Sequence, residues 1–441
     1  MKESRYNLIL DGSSHRLAFN AMTCAFAEVD ESFFEALEEV RKTGHITNNE
    51  LGKQMRYGGF VVDDDSDELS LLRMRSWQAK FSEGSLGLTI APTLACNFAC
   101  PYCYEQARDG MMTKEVQDCI IHMVEGATRR RQSVHITWYG GEPLLALPII
   151  LEMSQRMIAL CESQNVPYSA YMISNGFLLN EKKIQDLKAV RISGMQITVD
   201  GPRDIHDKRR ILKHGTGGTF DRIIKNICCL LNSGLVPDIR INVDKTNGAR
   251  LEELIVYFKE QGLEKCHISF GHVNAFTEAC ADIEGSCFSV EDYAAKSITY
   301  QRFLFENGFP ASDYPLYPGI KRNYCCADSI GSYVVDPDGR MYKCWNDIGN
   351  ASRSVGSVLD LGEASDAQQS LLSSYLLWSP FDHEKCLSCE ILPICMGGCP
   401  YNGIRHSGEP ECEKWKYNIG DALRFIYTNY ERLGHGDESE P

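Results

Sequence analysis

Apolar and polar positions follow three rhythms along this chain. Residues 1–87 read as a small α+β unit: Tyr6-Asn7-Leu8-Ile9-Leu10 predicts a strand, Asp11-Gly12 a turn, and Arg16-Leu17-Ala18-Phe19 a second strand. Ser32 opens a helix with Phe33, Phe34, Leu37 and Val40 on one face, and Gly58-Gly59 leads into the short run Phe60-Val61-Val62. From 88 to 275 strand and helix patterns alternate. The spacing predicts strands at Leu88–Thr93, His135–Tyr139, Ala170–Ser174, Met195–Asp200, Ile239–Val243 and His267–Gly271. Between them Phe220, Ile223, Ile224, Ile227, Leu230 and Leu231 give the clearest helical stripe. Such alternation predicts a parallel sheet, open or partly closed into a barrel, with ligands at the carboxyl ends of its strands. Beyond a bridging region, 276–324, the periodicity weakens and Gly, Pro and Cys rise over 325–433. That part is expected to owe its fold to metal more than to an apolar core. Tyr417, Ala422, Phe425, Ile426 and Tyr430 predict a closing helix, and the polar stretch 434–441 a disordered tail.

Composition narrows the function. The 441 residues allow several domains, and 43% are hydrophobic, enough for a buried core. A formal charge of −15 argues against nucleic acid or an anionic membrane as partner, since both attract cations. The runs Arg129-Arg130-Arg131 and Lys208-Arg209-Arg210 read as solvated faces. No uninterrupted apolar run approaches the roughly 18 residues of a membrane span. The start, MKESRYNLIL, lacks the apolar core and cleavage site of a secretion signal, so a cytoplasmic location is expected.

Nineteen cysteines in a reducing compartment point to metal rather than disulfides. Cys24, Cys119, Cys161, Cys228, Cys229, Cys266, Cys280 and Cys287 are scattered and read as small buried apolar residues. The other eleven fall in two sets. In the first, Cys96, Cys100 and Cys103 are spaced C-x3-C-x2-C on a loop directly after a strand. A loop can wrap three thiolates around one iron–sulfur cube, which needs four ligands, so one iron stays open. Zinc normally takes paired C-x2-C motifs and closes every position, and no second pair follows nearby.

This segment resembles the signature of radical S-adenosylmethionine (SAM) enzymes. The resemblance implies that the open iron chelates SAM, whose reductive cleavage yields a 5′-deoxyadenosyl radical that abstracts substrate hydrogen. Further residues match in order: Tyr102 within the cluster loop, then Gly140-Gly141-Glu142-Pro143 after the second strand, like the GGEP motif that holds the methionine amino group. Ser174-Asn175-Gly176 follows the third strand, Asp200-Gly201-Pro202 with His206 and Arg210 the fourth, and Arg240 and Asn242 lie on the fifth. The resemblance makes Tyr102, Gly140, Gly141, Glu142, Ser174, Asn175, Asp200, Arg210, Arg240 and Asn242 the SAM site. Singly each has a plainer reading. Ser174-Asn175-Gly176 could be a turn, His206 a cap, and Gly140-Gly141 a place of close packing.

In the second set Cys386-x2-Cys389-x5-Cys395-x3-Cys399 is followed by Cys412, and preceded by Cys325, Cys326 and Gly339-x4-Cys344. The spacing resembles the SPASM domain of peptide-modifying radical SAM enzymes. It implies two auxiliary clusters, and with the first cysteine set three [4Fe–4S] clusters in all. Cys386, Cys389, Cys395 and Cys412 would hold the outer one. Cys344, Cys399 and one or both of Cys325 and Cys326 would hold the inner one. The N-terminal unit resembles a winged-helix-like peptide-recognition element, with Tyr6–Leu10 or Arg16–Phe19 near an edge that takes a leader peptide as an added strand.

The implied whole is an α/β protein: a partial (β/α)6 TIM barrel between a small α+β winged-helix-like domain and an iron–sulfur SPASM domain. The implied function is maturation of a ribosomally made precursor peptide by thioether formation, with a flavodoxin- or ferredoxin-type electron donor. A second reading is maturation of a protein such as an anaerobic sulfatase. In that family an Asp follows the cysteine of the G-x4-C motif, whereas Trp345 stands here, with Asp347 close by. A third is an iron–sulfur electron carrier or binding module. The sequence marks no general base.

Overall fold

The computed structural model describes residues 1–12, 15–310, 317–405 and 408–429. After β1 (Lys2–Glu3) come three antiparallel strands, β2 (Asn7–Leu10), β3 (Arg16–Asn20) and β4 (Ala25–Val29), lying side by side in that order. Helices α1 (Glu31–Thr43) and α2 (Asn49–Tyr57) follow, then β5 (Val61–Val62), which returns to pair with β1, and α3 (Glu68–Lys80). The side chains of Asp30, Asn48 and Asp67 start the three helices by accepting the amides of Phe33, Leu51 and Ser70. Ala18, Phe33, Leu37, Val40, Met55, Phe60 and Val61 form the core.

Two features depart from the sequence reading. Arg16–Phe19 is not at an edge but in the central strand β3, hydrogen-bonded on both sides; the edges are β2 and β4. Helix α3 also escaped the apolar pattern because it is turned inside out. It buries Glu68, Leu72, Ser76 and Lys80 at four-residue spacing, while Leu71, Met74 and Trp77 stand 40%, 50% and 60% exposed. The buried charges are held: Glu68 accepts from the Ser4 hydroxyl at 2.5 Å and the Arg5 amide at 3.0 Å, and Lys80 lies 3.4 Å from Asp328.

The alternating region gives β6 (Ser85–Ile90), α4 (Lys114–Arg129), β7 (Ser133–Trp138), α5 (Leu147–Ser163), β8 (Tyr168–Ser174), α6 (Glu181–Ala189), β9 (Ile192–Thr198), α7 (Arg203–Arg209), α8 (Phe220–Asn232), β10 (Pro237–Val243), α9 (Leu251–Glu260) and β11 (His267–His272). The six strands are parallel and neighbour one another in chain order, each pair joined through helix. That is the winding of a TIM-type sheet rather than a doubly wound one. All six expected strands are present, with ends moved by a few residues. One helical stretch, Pro143–Ser163, is long and apolar enough to cross a membrane. It is the crossover between β7 and β8, and buries Ile150, Met153, Met157 and Cys161.

Helix α10 (Val290–Glu306) leads on toward β12 (Ser332–Val335), β13 (Arg340–Tyr342) and β14 (Gly356–Ser357). Strand β12 pairs in parallel with β6, and β13 and β14 continue the sheet. The Gly339-x4-Cys344 motif thus flanks β13 in the barrel's own sheet, while β12 covers an edge of β6 that would otherwise be open. After α11 (Asp366–Leu376) come the short helices α12 (Glu384–Leu387), α13 (Leu392–Cys395) and α14 (Pro400–Arg405), then α15 (Trp415–Thr428). The closing helix buries Trp415, Ile419, Ala422, Phe425 and Ile426, but Tyr417 is exposed; Tyr430 and the 434–441 tail lie outside the described residues.

The chain forms two compact units. One comprises Met1–Phe81, Pro315–Asp328 and Trp378–Pro441, the other Ser82–Tyr314 and Ser329–Leu377. The 325–433 segment is therefore divided between them, with Cys344 in the barrel unit and the other cysteines of the second set in the first unit.

Candidate active site

The cluster loop hangs from the carboxyl end of β6. The Thr93 hydroxyl closes its base on the Gly110 carbonyl at 2.6 Å, and the Ala99 amide and Asn97 carbonyl bond to the 211–213 segment at 2.8 Å each. Cys96, Cys100 and Cys103 line one cavity of about 450 Å3 with residues from the carboxyl ends of the neighbouring strands. These include Tyr102, Gly140, Gly141, Ser174, Asn175, Arg210, Arg240 and Asn242. Of the ten residues assigned to SAM, only Glu142 and Asp200 lie behind the wall rather than on it; both are fully buried.

Those two carboxylates fasten the wall from behind. Glu142 accepts the amides of Leu144 at 3.0 Å and Asn175 at 2.8 Å and the Ser174 hydroxyl at 2.9 Å. Burial raises its pKa, while these bonds and the Arg210 charge act to lower it. Asp200 accepts the Tyr102 hydroxyl and, at 3.0 Å, the Asn242 amide. Arg210 in turn donates to the Tyr102 oxygen at 3.0 Å. The strand ends of β8, β9 and β10 are thereby tied to the cluster loop. Gly140 and Gly141 answer to close approach: a Cβ on Gly141 would come within 2.4 Å of the Ala95 carbonyl, and one on Gly140, at φ +111°, within 2.4 Å of the Thr93 carbonyl.

His206 does not line the cavity. It is buried, its Nδ1 accepts the Asp200 amide at 3.3 Å, and its pKa is held well below 6.5 by burial and by Arg210 and Arg209. Several wall residues were not assigned to the site by sequence reasoning, Glu105 and Trp345 among them. Both face the cavity, and Glu105 Oε2 and Trp345 Nε1 are shielded from solvent with no hydrogen-bond partner among the described residues. Burial pushes the Glu105 carboxyl up to about 7. Trp345 packs on Tyr139 at 4.8 Å between ring centroids, and the Tyr139 hydroxyl meets that of Tyr104. No local spacing marks these residues; only the folded cavity brings them together.

Among the described residues no three His, Cys, Asp or Glu side chains are drawn together closely enough to ligate a single ion. The fit of a cluster is therefore judged on donor chemistry. Burial pushes the Cys96 thiol up to about 12, raises Cys100 too, and raises Cys103, which also feels Cys96 and Cys100. Cys96 and Cys100 are half-buried and Cys103 is exposed; thiols raised in this way make poor thiolates alone, and suit a highly charged inorganic centre that would draw off their protons. In the other unit Cys386 is raised to about 11, first by burial and then by the thiols of Cys395, Cys389 and Cys412. Tyr324 feels both Cys399 and Cys325. Of the scattered cysteines, Cys161, Cys266 and Cys280 are buried, whereas Cys24, Cys119, Cys228, Cys229 and Cys287 are only half-buried.

A thiol triplet on the loop after the first strand opens on a cavity ringed by the remaining strand ends, the arrangement that the resemblance to radical SAM enzymes implies. Residues 90–255 match the Radical SAM superfamily, and the chain carries a radical SAM domain. Among curated proteins it is 22% identical to a cysteine-type anaerobic sulfatase-maturating enzyme of Clostridium novyi, over 72% of this chain and 88% of that one. It is 24% identical to a serine-type enzyme of Klebsiella aerogenes, over 69% and 77%. Among solved structures it resembles anSMEcpe with bound AdoMet and Cp18Cys peptide, at 20% identity and TM-score 0.60, covering 80% of this chain and 98% of that one. It also resembles Streptococcus suis SuiB bound to precursor peptide SuiA, at 16% identity and TM-score 0.53, covering 94% and 98%.

Proposed function

We propose that this chain is a radical SAM maturase that forms Cys-derived thioether cross-links in a ribosomally synthesised precursor peptide. The observation that carries the reading is that, among the described residues, β4 forms an outer edge of its three-stranded sheet. Beside it runs a groove of about 640 Å3, walled by β4, the start of α1, α2 and Phe60. A leader peptide laid along β4 would add a strand, with Phe33, Leu51, Met55 and Phe60 setting its register. The likeness to the SuiB chain, which reaches across 94% of this one, supports the same reading.

In this reading the chain holds three [4Fe–4S] clusters, on Cys96, Cys100 and Cys103, on Cys386, Cys389, Cys395 and Cys412, and on Cys344, Cys399 and one or both of Cys325 and Cys326. Bound at the first site, cluster and SAM would supply the carbon radical that removes one hydrogen atom from the substrate, and closing the C–S bond would release the thiol proton and pass the remaining electron to an auxiliary cluster. The protein's part is positional: Ser174, Asn175, Arg240 and Asn242 orient SAM, Glu142 and Asp200 brace them, and Tyr104, Tyr139 and Trp345 exclude water on the substrate side. The starting electron comes from a flavodoxin- or ferredoxin-type donor in the cytoplasm.

The curated relatives favour a second reading, maturation of a sulfatase. Two observations weigh against it. Trp345 occupies the position after Cys344, and Asp347 is fully buried, its oxygens taken by Arg353 at 3.0 Å and the Tyr375 hydroxyl at 2.6 Å. The anaerobically reconstituted chain, given SAM, a reductant and any small Cys-containing peptide found encoded beside its gene, should lower that peptide's mass by a pair of hydrogens per link. An unchanged peptide, alongside conversion of a sulfatase-type peptide to its aldehyde, overturns the reading.

A further inference from the structure

Tyr6 immediately precedes β2. Its side chain is fully buried, and its hydroxyl has no hydrogen-bond partner among the described residues. A phenol left unpaired in the interior is costly, so its acceptor is a group that completes the site. The polar atoms nearby are already engaged. Ser4 Oγ donates to Glu68 at 2.5 Å, the Arg5 amide donates to Glu68 at 3.0 Å, and Asn20 donates to Ser4 Oγ at 3.0 Å and to Asn7 at 2.8 Å. The Arg5 side chain donates to the carbonyl of Leu387, between Cys386 and Cys389, and its guanidinium lies 5.6 Å from the Tyr6 ring centroid. The side chain of the residue before Tyr6 thus reaches the segment that carries those two cysteines. Cys389 is close enough for its charge to act on the phenol, and its thiol groups with those of Cys386, Cys395 and Cys412.

We propose that Tyr6 donates its phenolic hydrogen to the sulfur shell of an iron–sulfur cluster held by Cys386, Cys389, Cys395 and Cys412, and thereby sets that cluster's reduction potential. The inference rests on the cluster assignment made above. A donor aimed at cluster sulfur stabilises the more negative, reduced state, so its presence raises the potential. Tyr6 is a positioning residue: it touches neither SAM nor peptide. It also makes the N-terminal segment part of the cluster's immediate surroundings.

The test is a potentiometric titration of that cluster, followed by electron paramagnetic resonance in protein whose first cluster is removed by changing Cys96, Cys100 and Cys103 to Ala. Tyr6→Phe should keep its iron and shift the oxidised-to-reduced ratio about tenfold toward oxidised, about 59 mV for a one-electron couple. 3-Fluorotyrosine placed at position 6 alone, a stronger donor of nearly the same shape, should move the potential the other way. It decides the matter if the Phe variant fails to fold. An unchanged potential in the fluorotyrosine protein, with iron intact, overturns the proposal and leaves the cluster assignment standing. Absence of any residual iron in the Cys96, Cys100 and Cys103 variant overturns the assignment itself.

Discussion

At the scale of single residues, the site owes its shape in part to carboxylates set behind the cavity wall. Glu142 and Asp200 spend their lone pairs on the backbone and side chains of adjoining strand ends. Gly141 lets the loop after β7 lie against the cluster loop. Gly141→Ala forces a methyl to within 2.4 Å of one carbonyl and 2.5 Å of the next, so the backbone must move. Equilibrium dialysis of SAM against this variant should show at least about tenfold weaker binding, a change of about 1.4 kcal/mol. Trp345→Phe keeps a ring on Tyr139 but removes the unpartnered indole N–H from the cavity wall. It should raise the KM for peptide by about tenfold, the worth of one hydrogen bond, while SAM affinity stays the same.

His206 was legible only as a motif member, and it serves neither as a cap nor on the cavity wall: it is buried within α7 and accepts the Asp200 amide. Held neutral in the fold and free to protonate near 6.5 when unfolded, it takes up a proton on unfolding as the medium turns acidic. Its contribution is full above that pH and is lost as pH falls below it, at up to about 1.4 kcal/mol per pH unit. Urea unfolding at a series of pH values should show His206→Gln with a shallower acid slope than the parent. The cysteine triplet and paired glycines could be read from sequence because cluster ligands and tight turns are local in spacing. Glu105 and Trp345 could not, because they lie far apart in the chain and gain meaning only across the cavity.

At the scale of elements, the six parallel strands were visible because each carries a short apolar run bounded by turn residues. Strand β4 was not, since Ala25-Phe26-Ala27-Glu28-Val29 neither alternates cleanly nor follows a clear turn. Helix α3 defied the pattern outright, because its buried face is largely polar. The two faces should answer mutation in opposite ways. Leu72→Ala should destabilise the chain by about 2–5 kcal/mol, as burial without collapse requires. Trp77→Ala, on the exposed face, should fall within about 0.5 kcal/mol. Denaturant midpoints of the two variants check this, and equal losses would mean that the outer face is covered.

At the scale of the whole molecule, sequence order misleads. The second cysteine set reads as one C-terminal domain, yet β12 and β13 join the barrel's sheet while residues from Trp378 onward share a unit with the N-terminal strands. Pairing of β6 with β12 spans some two hundred and forty residues of sequence (Ser332 opposite Gly87), a separation that periodicity cannot see. At the mouth of that sheet, the role proposed for the three thiols is to leave one iron free to chelate and reduce SAM. The most direct measurement is 5′-deoxyadenosine released from SAM by the anaerobically reconstituted chain under reductant, set against the same chain with Cys96, Cys100 and Cys103 changed to Ala. The parent should release 5′-deoxyadenosine, and the variant none while still holding iron on its remaining thiols. Equal release from both, or no release from a parent loaded with iron, would contradict the account.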